Sequence, residues 1–223
     1  MKVNIVIPAF NEQDTISNVL VGCFNKYPKA EVIVVNDAST DRTLKILEKV
    51  KKLHKGLRIL TNRKNSGHAY SLVKGLRAAK GDYVIYMDAD NQIKLDDFSL
   101  EPYDFDMISG YRVDRQDKLF RKIVSFILKM TIFIRHGLWI KDANCPMKVF
   151  ERSTLQDALS FLSPNSIVPS ISMEIMIRQD GKKVVEVPFT HYPYIKERKG
   201  SLQSINKKSL LMFWKAFIEV WKI

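Results

Sequence analysis

The stretch "YMDADNQ", Tyr86 to Gln92, sets two carboxylates one residue apart directly after the apolar run "YVIYM". In an extended or turning backbone, residues i and i+2 point to the same side, so Asp88 and Asp90 face one space, with Gln92 two residues further on. Hard oxygen donors arranged this way suit a divalent cation such as Mg²⁺ or Mn²⁺, which commonly binds diphosphate oxygens at the same time. The plain alternative is a strand that ends in polar residues at the surface. An Asp-x-Asp alone does not decide between the two.

Other polar segments bear on the choice. Asp37 and Ser39 stand in "VIVVNDASTD". An acid there suits ribose hydroxyls or the imide edge of a base, unless the segment only caps the following helix, a role open to Ser39 or Thr40 without Asp37. The loop "NRKNSGH" puts Gly67 at a helix start, where backbone N–H groups and the helix dipole favour a phosphate. A lone glycine there also serves as a simple turn. Neither G-x-x-x-x-G-K-[ST] nor G-x-G-x-x-G occurs, which disfavours an ATPase or a dinucleotide enzyme. His54, His68, His136 and His191 are scattered and build no metal or nucleophilic triad; only His68 falls near these loops.

The elements that must position these residues follow from periodicity. "VNIVIPAF", "AEVIVVNDA", "LRILTN" and "DYVIYMDAD" read as buried strands. Between them, "EQDTISNVLVGCF", "STDRTLKILEKVKKL" and "SGHAYSLVKGLRAAKG" read as helices, the second opened by a Ser or Thr cap and the third running from near Ser66 to a stop at Gly81. Strands that alternate with helices imply βαβ units and a parallel sheet covered on both faces. Ligands bind such sheets beyond the carboxyl ends of the strands, so "PAFNE", "NDAST", "TNRKNSG" and "DADNQ" are expected on one rim. After Gln92 the alternation stops. The sequence predicts a short helix in "LDDFSLEPY", a strand in "FDMISGYR" ending at Arg112, and a basic, apolar helix from about Asp117 to His136. It further predicts a turn or strand feeding a helix in "DANCPMKVFERSTL", a strand in "KKVVEVPFTHY" and a final helix from about Ser204.

With 223 residues the chain is expected to form a single α/β domain. Its net charge of +12 is uneven: residues 1–109 hold 16 Lys and Arg against 14 Asp and Glu, residues 110–223 hold 20 against 10. The second half therefore has a reason to attract anions (nucleic acid, phosphorylated ligands or an anionic membrane face), unless it is simply a basic solvated surface. No helix-turn-helix, zinc or RNP-type motif supports nucleic acid. Two cysteines far apart, Cys23 and Cys145, suggest neither disulfide nor zinc and make a reducing cytoplasm the default. The opening "MKVNIVIPAF" reads as a strand rather than a signal peptide. The run "IVSFILKMTIFI" is broken by Lys129 and too short to span a bilayer.

Taken together, "IVIPAFNE", "VIVVNDASTDRT", "NSGHAYSLVKGLRAAKGDYVIYMDAD" and "SGYR" resemble a family 2 glycosyltransferase with the GT-A fold. The patterns P-x-[YF]-N-E, [DN]-D-[GA]-S-x-D, N-x-G and D-x-D occur in order across the first half. "KDANCPMKVF", "EIMIRQDGKKVVEVPF" and "KERKGSL" resemble the polyprenyl-phosphate hexosyltransferases of the dolichyl-phosphate mannose synthase type. Cys145-Pro146 stands where that group usually has Ser-Gly, and Lys199 and Leu202 alter the last motif.

The resemblance implies an inverting transfer of a hexose from a nucleotide-sugar, GDP-mannose or UDP-glucose, to polyprenyl (dolichyl or undecaprenyl) phosphate with Mg²⁺ or Mn²⁺. It implies that Pro8, Phe10, Glu12 and Asp37 hold the nucleoside and that Asp88, Asp90 and Gln92 hold the metal. Arg112, Arg121 and Arg198 then gather the acceptor phosphate and the donor diphosphate, which accounts for much of the positive second half. Residues 1–109 form the nucleotide-sugar and metal half of the one domain, residues 110–223 the acceptor and membrane-facing half. A saccharide or cell-surface glycan acceptor is the alternative; its hydroxyl needs a base, for which Asp142 or Glu174 are the candidates. The basic, aromatic stretches "LFRKIVSFILKMTIFIRHGLWI" and "KKSLLMFWKAFIEVWKI" suit peripheral contact with the cytoplasmic face of a membrane; packing of an apolar face on the core is an equal alternative for the first, and homodimerisation is the competing use of the last helix.

Overall fold

The computed structural model describes residues 1–101, 103–113, 119–193 and 207–223. The elements run β1 (Val3–Ala9), α1 (Ile16–Lys26), β2 (Glu31–Asn36), α2 (Thr43–Leu53), β3 (Leu57–Thr61), α3 (His68–Ala78) and β4 (Tyr83–Met87). There follow β5 (Met107–Val113), α4 (Leu119–His136), β6 (Met147–Glu151), α5 (Arg152–Phe161), α6 (Pro169–Gln179), β7 (Val184–Thr190) and α7 (Lys207–Lys222). All seven strands share one sheet in the order β3-β2-β1-β4-β6-β5-β7.

The four expected strands pair in parallel, with β1 between β2 and β4. The winding thus reverses at β1, and the gap beyond the carboxyl ends of β1 and β4 is the natural crevice of such a sheet. Strand β6 is antiparallel to β4 and β5, and β7 is parallel to β5, so the second half adds a mixed wing to the same sheet. Both faces are covered, and period-two alternation divides each strand between them. Ile5, Ile7, Val32 and Val34 pack with Ile16, Leu20 and Leu47 under α1 and α2. Val6, Ile33 and Val84 pack with Leu72, Leu76, Leu155 and Met173 under α3, α5 and α6. Helix α3 lies so close to the sheet that a Cβ on Gly75 would run into Val6 Cγ1 and stand 3.0 Å from Val35 Cγ2.

Several local expectations change. Helix α2 begins at Thr43, and the side chain that meets its first N–H is Asp41, 2.9 Å from the Thr43 nitrogen, not a Ser or Thr. The segment after Gln92 makes only a 3₁₀ turn at Leu95–Asp97 in place of a helix through 103. The helix expected from about Asp117 is described from Leu119 and the last helix, expected from about Ser204, from Lys207; residues 117, 118 and 204–206 lie outside the described residues. Helix α6 was not anticipated. It buries Ile171, Ser172, Met173, Glu174, Ile175 and Ile177, nearly all the way round, so it lacks the one-sided apolar stripe that announces a surface helix.

Helix α7 docks through its last turns. Glu219 accepts hydrogen bonds from Ser166 Oγ, Ser172 Oγ (2.9 Å) and the Ile167 N–H (2.8 Å). His136 and Arg135 at the end of α4 reach the Val220 and Trp221 carbonyls at 2.7 and 3.0 Å, where a helix end leaves acceptors unsatisfied. Val220 is fully buried among Ile132, Ile140, Ile171 and Ile175.

Candidate active site

The loops that follow β1, β2, β3 and β4 meet in an open cleft of about 510 Å³. Pro8, Phe10 and Glu12 line it from the first loop, Asp37 from the second, Gly67 from the third, and Asp88 and Asp90 from the fourth. Among the described residues three non-glycines take the left-handed backbone region, Asn11, Ala38 and Asn91 at φ of 56°, 55° and 60°, and each sits in one of these rim loops. Such conformations cost about 1 kcal/mol or more for a residue bearing a Cβ, and they persist only where neighbours hold them.

The neighbours are visible. Asn11 Oδ1 accepts the Thr40 N–H at 2.9 Å, while Ser39 Oγ accepts the Asn11 N–H at 3.0 Å, so the first two loops are laced together. The Glu12 N–H donates to Thr43 Oγ1 (2.8 Å), and the Glu12 carboxylate accepts from Thr15 Oγ1 (3.1 Å). Ser39 is therefore a brace between loops, one step behind the cleft wall. Phe10 is 39% exposed, a flat apolar face open to the cleft.

Asp37 binds the third loop. Oδ1 accepts from Asn62 Nδ2 (2.7 Å) and the Ser66 N–H (2.8 Å), and Oδ2 accepts from the Gly67 N–H (2.8 Å). This corrects the phosphate reading of Gly67: its N–H is taken by Asp37. What the glycine contributes is a φ of +91°, which turns the chain into α3.

The acidic turn has a detailed electrostatic setting. Asp88 Oδ1 lies 2.9 Å from His68 Nε2 and accepts from the Tyr86 hydroxyl at 3.0 Å. For His68, burial favours the neutral ring, but the charge and hydrogen bond of Asp88, aided by Asp90 and Asp37, outweigh it and raise the pKa. Asp90 is pushed up from 3.8 to about 6, first by burial and then by the charge of Asp88. The Gln92 and Asp90 N–H groups and the charge of Arg112 pull the other way. Two carboxylates with like charge and hard oxygens therefore share one water-facing pocket, which suits a divalent cation better than it suits either acid alone. Among the described residues no three His, Cys, Asp or Glu side chains converge as a ready-made metal cage. Gln92 does not simply face the turn. Its Nε2 donates to the Tyr192 carbonyl (3.2 Å), and the Tyr192 N–H donates back to the Gln92 carbonyl (2.9 Å).

Arg112 enters from the end of β5. Its Nε and Nη2 donate to Asp142 Oδ2 and Oδ1 at 2.7 and 3.0 Å, a bidentate fork that fixes the guanidinium plane, and its charge acts on Asp90. Asp142 is thus engaged by Arg112. Glu174 is fully buried between Lys148 and Arg178 and lies outside the cleft, which removes it as a base for an acceptor hydroxyl. Arg121 lies in α4 with its side chain outside the described residues, and Arg198 lies outside them altogether.

Tyr86 and the His68–Asp88 contact escaped the sequence. Tyr86 had a signal, since i and i+2 share a side of a strand, but its apolar context reads as core. His68 had none beyond its place after Gly67.

Because Asp90 resists ionisation, its charge works against the fold. The penalty is absent below the ordinary value of 3.8, grows between there and about 6, and is fully present above. Asp90→Asn is expected to raise the melting temperature of the metal-free chain at pH 7.5 and to give no gain at pH 4. A gain of equal size at both pH values would contradict the raised pKa of Asp90.

The comparisons agree with this layout. The sequence profile of glycosyl transferase family 2 matches residues 4–138. An undecaprenyl-phosphate 4-deoxy-4-formamido-L-arabinose transferase of Edwardsiella ictaluri is 28% identical over 199 residues, 85% of this chain and 59% of that protein. The chain thus spans about 59% of the length of such a relative. Among solved structures, a mannosyltransferase from Pyrobaculum calidifontis in complex with GDP-Man and Mn²⁺ superposes with a TM-score of 0.62 at 19% identity, covering 88% of this chain and 58% of that one. A glucosyl-3-phosphoglycerate synthase from Mycobacterium tuberculosis, in complex with Mn²⁺, UDP and its product, gives 0.68 at 16% identity, covering 100% and 80%. The architecture is the GT-A fold, and with the profile matching most of the chain, from β1 to the end of α4, the chain belongs to glycosyl transferase family 2.

Proposed function

We propose that the chain transfers a sugar from a nucleotide-diphosphate sugar to a polyprenyl phosphate. The observation that carries this is the pair Asp88 and Asp90 on the rim where the sheet reverses, with Asp37 and Phe10 on one side of it and Arg112 beside it. Phe10 and Asp37 offer a flat apolar face and an acceptor edge for a nucleoside, with Pro8 and Glu12 completing that wall. Asp88 and Asp90 would hold Mg²⁺ or Mn²⁺, with the Gln92 side-chain oxygen as a third donor. When bound, the cation neutralises charge on the leaving diphosphate.

The chain's own side chains then have distinct tasks. The guanidinium of Arg112, held in plane by Asp142, draws phosphate oxygens to the side of the acidic turn, and Arg121 and Arg198 are proposed to act with it. A polyprenyl phosphate is already anionic near neutral pH, so its attack on the anomeric carbon needs alignment more than a base. A sugar hydroxyl would need a base. The engagement of Asp142 with Arg112 and the sealing of Glu174 favour the phosphate acceptor over the saccharide. The names of the relatives point the same way for the acceptor, and toward an arabinose derivative rather than a hexose for the sugar. Mannose and glucose therefore stand beside a pentose as donors to be tested.

Peripheral membrane contact fits the same reading. No helix among the described residues is long and apolar enough to cross a membrane. Ile123, Phe126 and Ile134 on α4, and Leu211, Trp214 and Trp221 on α7, are exposed. Lys129 lies 4.0 Å from the centre of the Trp139 ring, and Trp214, Phe217 and Trp221 stack along α7. Aromatics and cations mixed in this way suit an anionic lipid surface, here taken to be the cytoplasmic one.

Two measurements test the proposal. Incubated with Mn²⁺ and a panel of radiolabelled nucleotide-sugars, the protein is expected to carry label into the lipid phase only when undecaprenyl phosphate is present. Asp88→Ala and Asp90→Ala should each lower that transfer by roughly 100-fold or more. Label found only in a water-soluble glycan would overturn the acceptor, and full activity in both variants would overturn the metal site. For the surface, the protein should sediment with vesicles containing anionic lipid, and Phe126→Ser with Trp214→Ser should abolish this. A loss of dimer in place of a loss of vesicle binding would assign the same faces to self-association.

A further inference from the structure

The connection between β3 and α3 holds a chain of polar contacts, running from Lys74 and Asn62 to Asp37 and Ser71 of the cleft wall, that neither the acidic turn nor Arg112 uses. Lys74 Nζ donates to Asn62 Oδ1 at 2.7 Å and to the Thr61 carbonyl at 3.3 Å. Asn62 Nδ2 in turn donates to Asp37 Oδ1 at 2.7 Å and to Ser71 Oγ at 2.9 Å. Asn62 and Ser71 are buried, and the Asn62 N–H continues the β2–β3 ladder to the Asn36 carbonyl at 2.9 Å.

The chemistry leaves this amide one orientation. A lysine ammonium only donates, so the oxygen of Asn62 must face Lys74. Its nitrogen then has two hydrogens and two acceptors in reach, Asp37 and Ser71. Turned by half a rotation, the amide would set its oxygen against the Asp37 carboxylate and its nitrogen against an ammonium. Asp37 in turn receives three N–H donors, from Asn62, Ser66 and Gly67, against about four lone-pair sites on a carboxylate. One site is left, and only for a donor.

We propose that Asn62, oriented by Lys74, is a positioning residue that presets Asp37 to read the N–H edge of a nucleobase. The inference rests on the reading that Asp37 meets the nucleoside of the donor. The base class follows from the chemistry. A uracil imide or the N1–H edge of guanine supplies a ring N–H donor for the remaining site, whereas cytosine and adenine would bring their amino donor only with a ring nitrogen acceptor set against the carboxylate beside it. Lys74 is not part of the cleft wall, so it acts on the base only through Asn62.

The test separates the base from the diphosphate. Binding of UMP, GMP and inorganic pyrophosphate, each with Mn²⁺, is measured by calorimetry on the full chain and on Lys74→Met, Asn62→Ala and Lys74→Arg. For whichever of UMP and GMP the unmodified chain binds, Lys74→Met and Asn62→Ala should weaken binding by roughly tenfold while pyrophosphate changes by less than about twofold. Lys74→Arg keeps a cationic donor facing Asn62 and should restore nucleotide binding. Equal losses for nucleotide and pyrophosphate would mark a merely structural role and overturn the relay, as would unchanged nucleotide binding in folded Lys74→Met. Failure of the unmodified chain to bind either nucleotide, with pyrophosphate still bound, would overturn the nucleoside reading of Asp37 and the relay with it.

Discussion

Two like charges held together at the end of a buried strand are the constraint around which the cleft is arranged. Burial, and after it the charge of Asp88, lifts Asp90 to about 6, and the surroundings answer with donors and cations rather than with separation. His68 and Tyr86 meet Asp88, the Gln92 N–H meets Asp90, and Arg112 stands by with its fork turned to Asp142. None of these neutralises the pair by a direct ion pair to both acids. A small, highly charged cation is the partner proposed for a site so arranged.

Holding that pair in place requires the rim to be rigid, and the rigidity is local. The first loop is tied to the second by Asn11 and Ser39, and the second to the third by Asp37, with left-handed residues at Asn11, Ala38 and Asn91 where the chain must turn sharply. The mixed wing of the sheet has a different task. It brings Arg112 from β5 to the acidic turn, and its own buried charges, Lys148, Glu174 and Arg178, satisfy one another away from the cleft. A buried trio of this kind is weak support for stability in itself and is better understood as fixing how α6 seats on β6.

Much of this was legible in the chain. Four apolar runs alternating with three amphipathic ones dictate a parallel sheet, and the rule that ligands meet such a sheet at its carboxyl end placed "PAFNE", "NDAST", "TNRKNSG" and "DADNQ" together before any coordinates. What was not legible depends on contacts between segments. Helix α6 hides because burial on nearly every face erases its period. Gly67 looked like a phosphate cradle because sequence cannot show that Asp37, thirty residues earlier, takes its N–H. Glu174 looked available because Lys148 and Arg178 become its partners only when β6 and α6 pack.

The central claim is that Asp88 and Asp90 are half of a cation site whose other half is a nucleotide diphosphate. Paramagnetic resonance of Mn²⁺ measures this directly, because bound and free ion differ in signal. Weak Mn²⁺ binding is expected for the chain alone and strong binding once UDP or GDP is added, with both lost in Asp88→Ala. Nucleotide binding that is indifferent to Mn²⁺, with no nucleotide-dependent change in the Mn²⁺ signal, would contradict it.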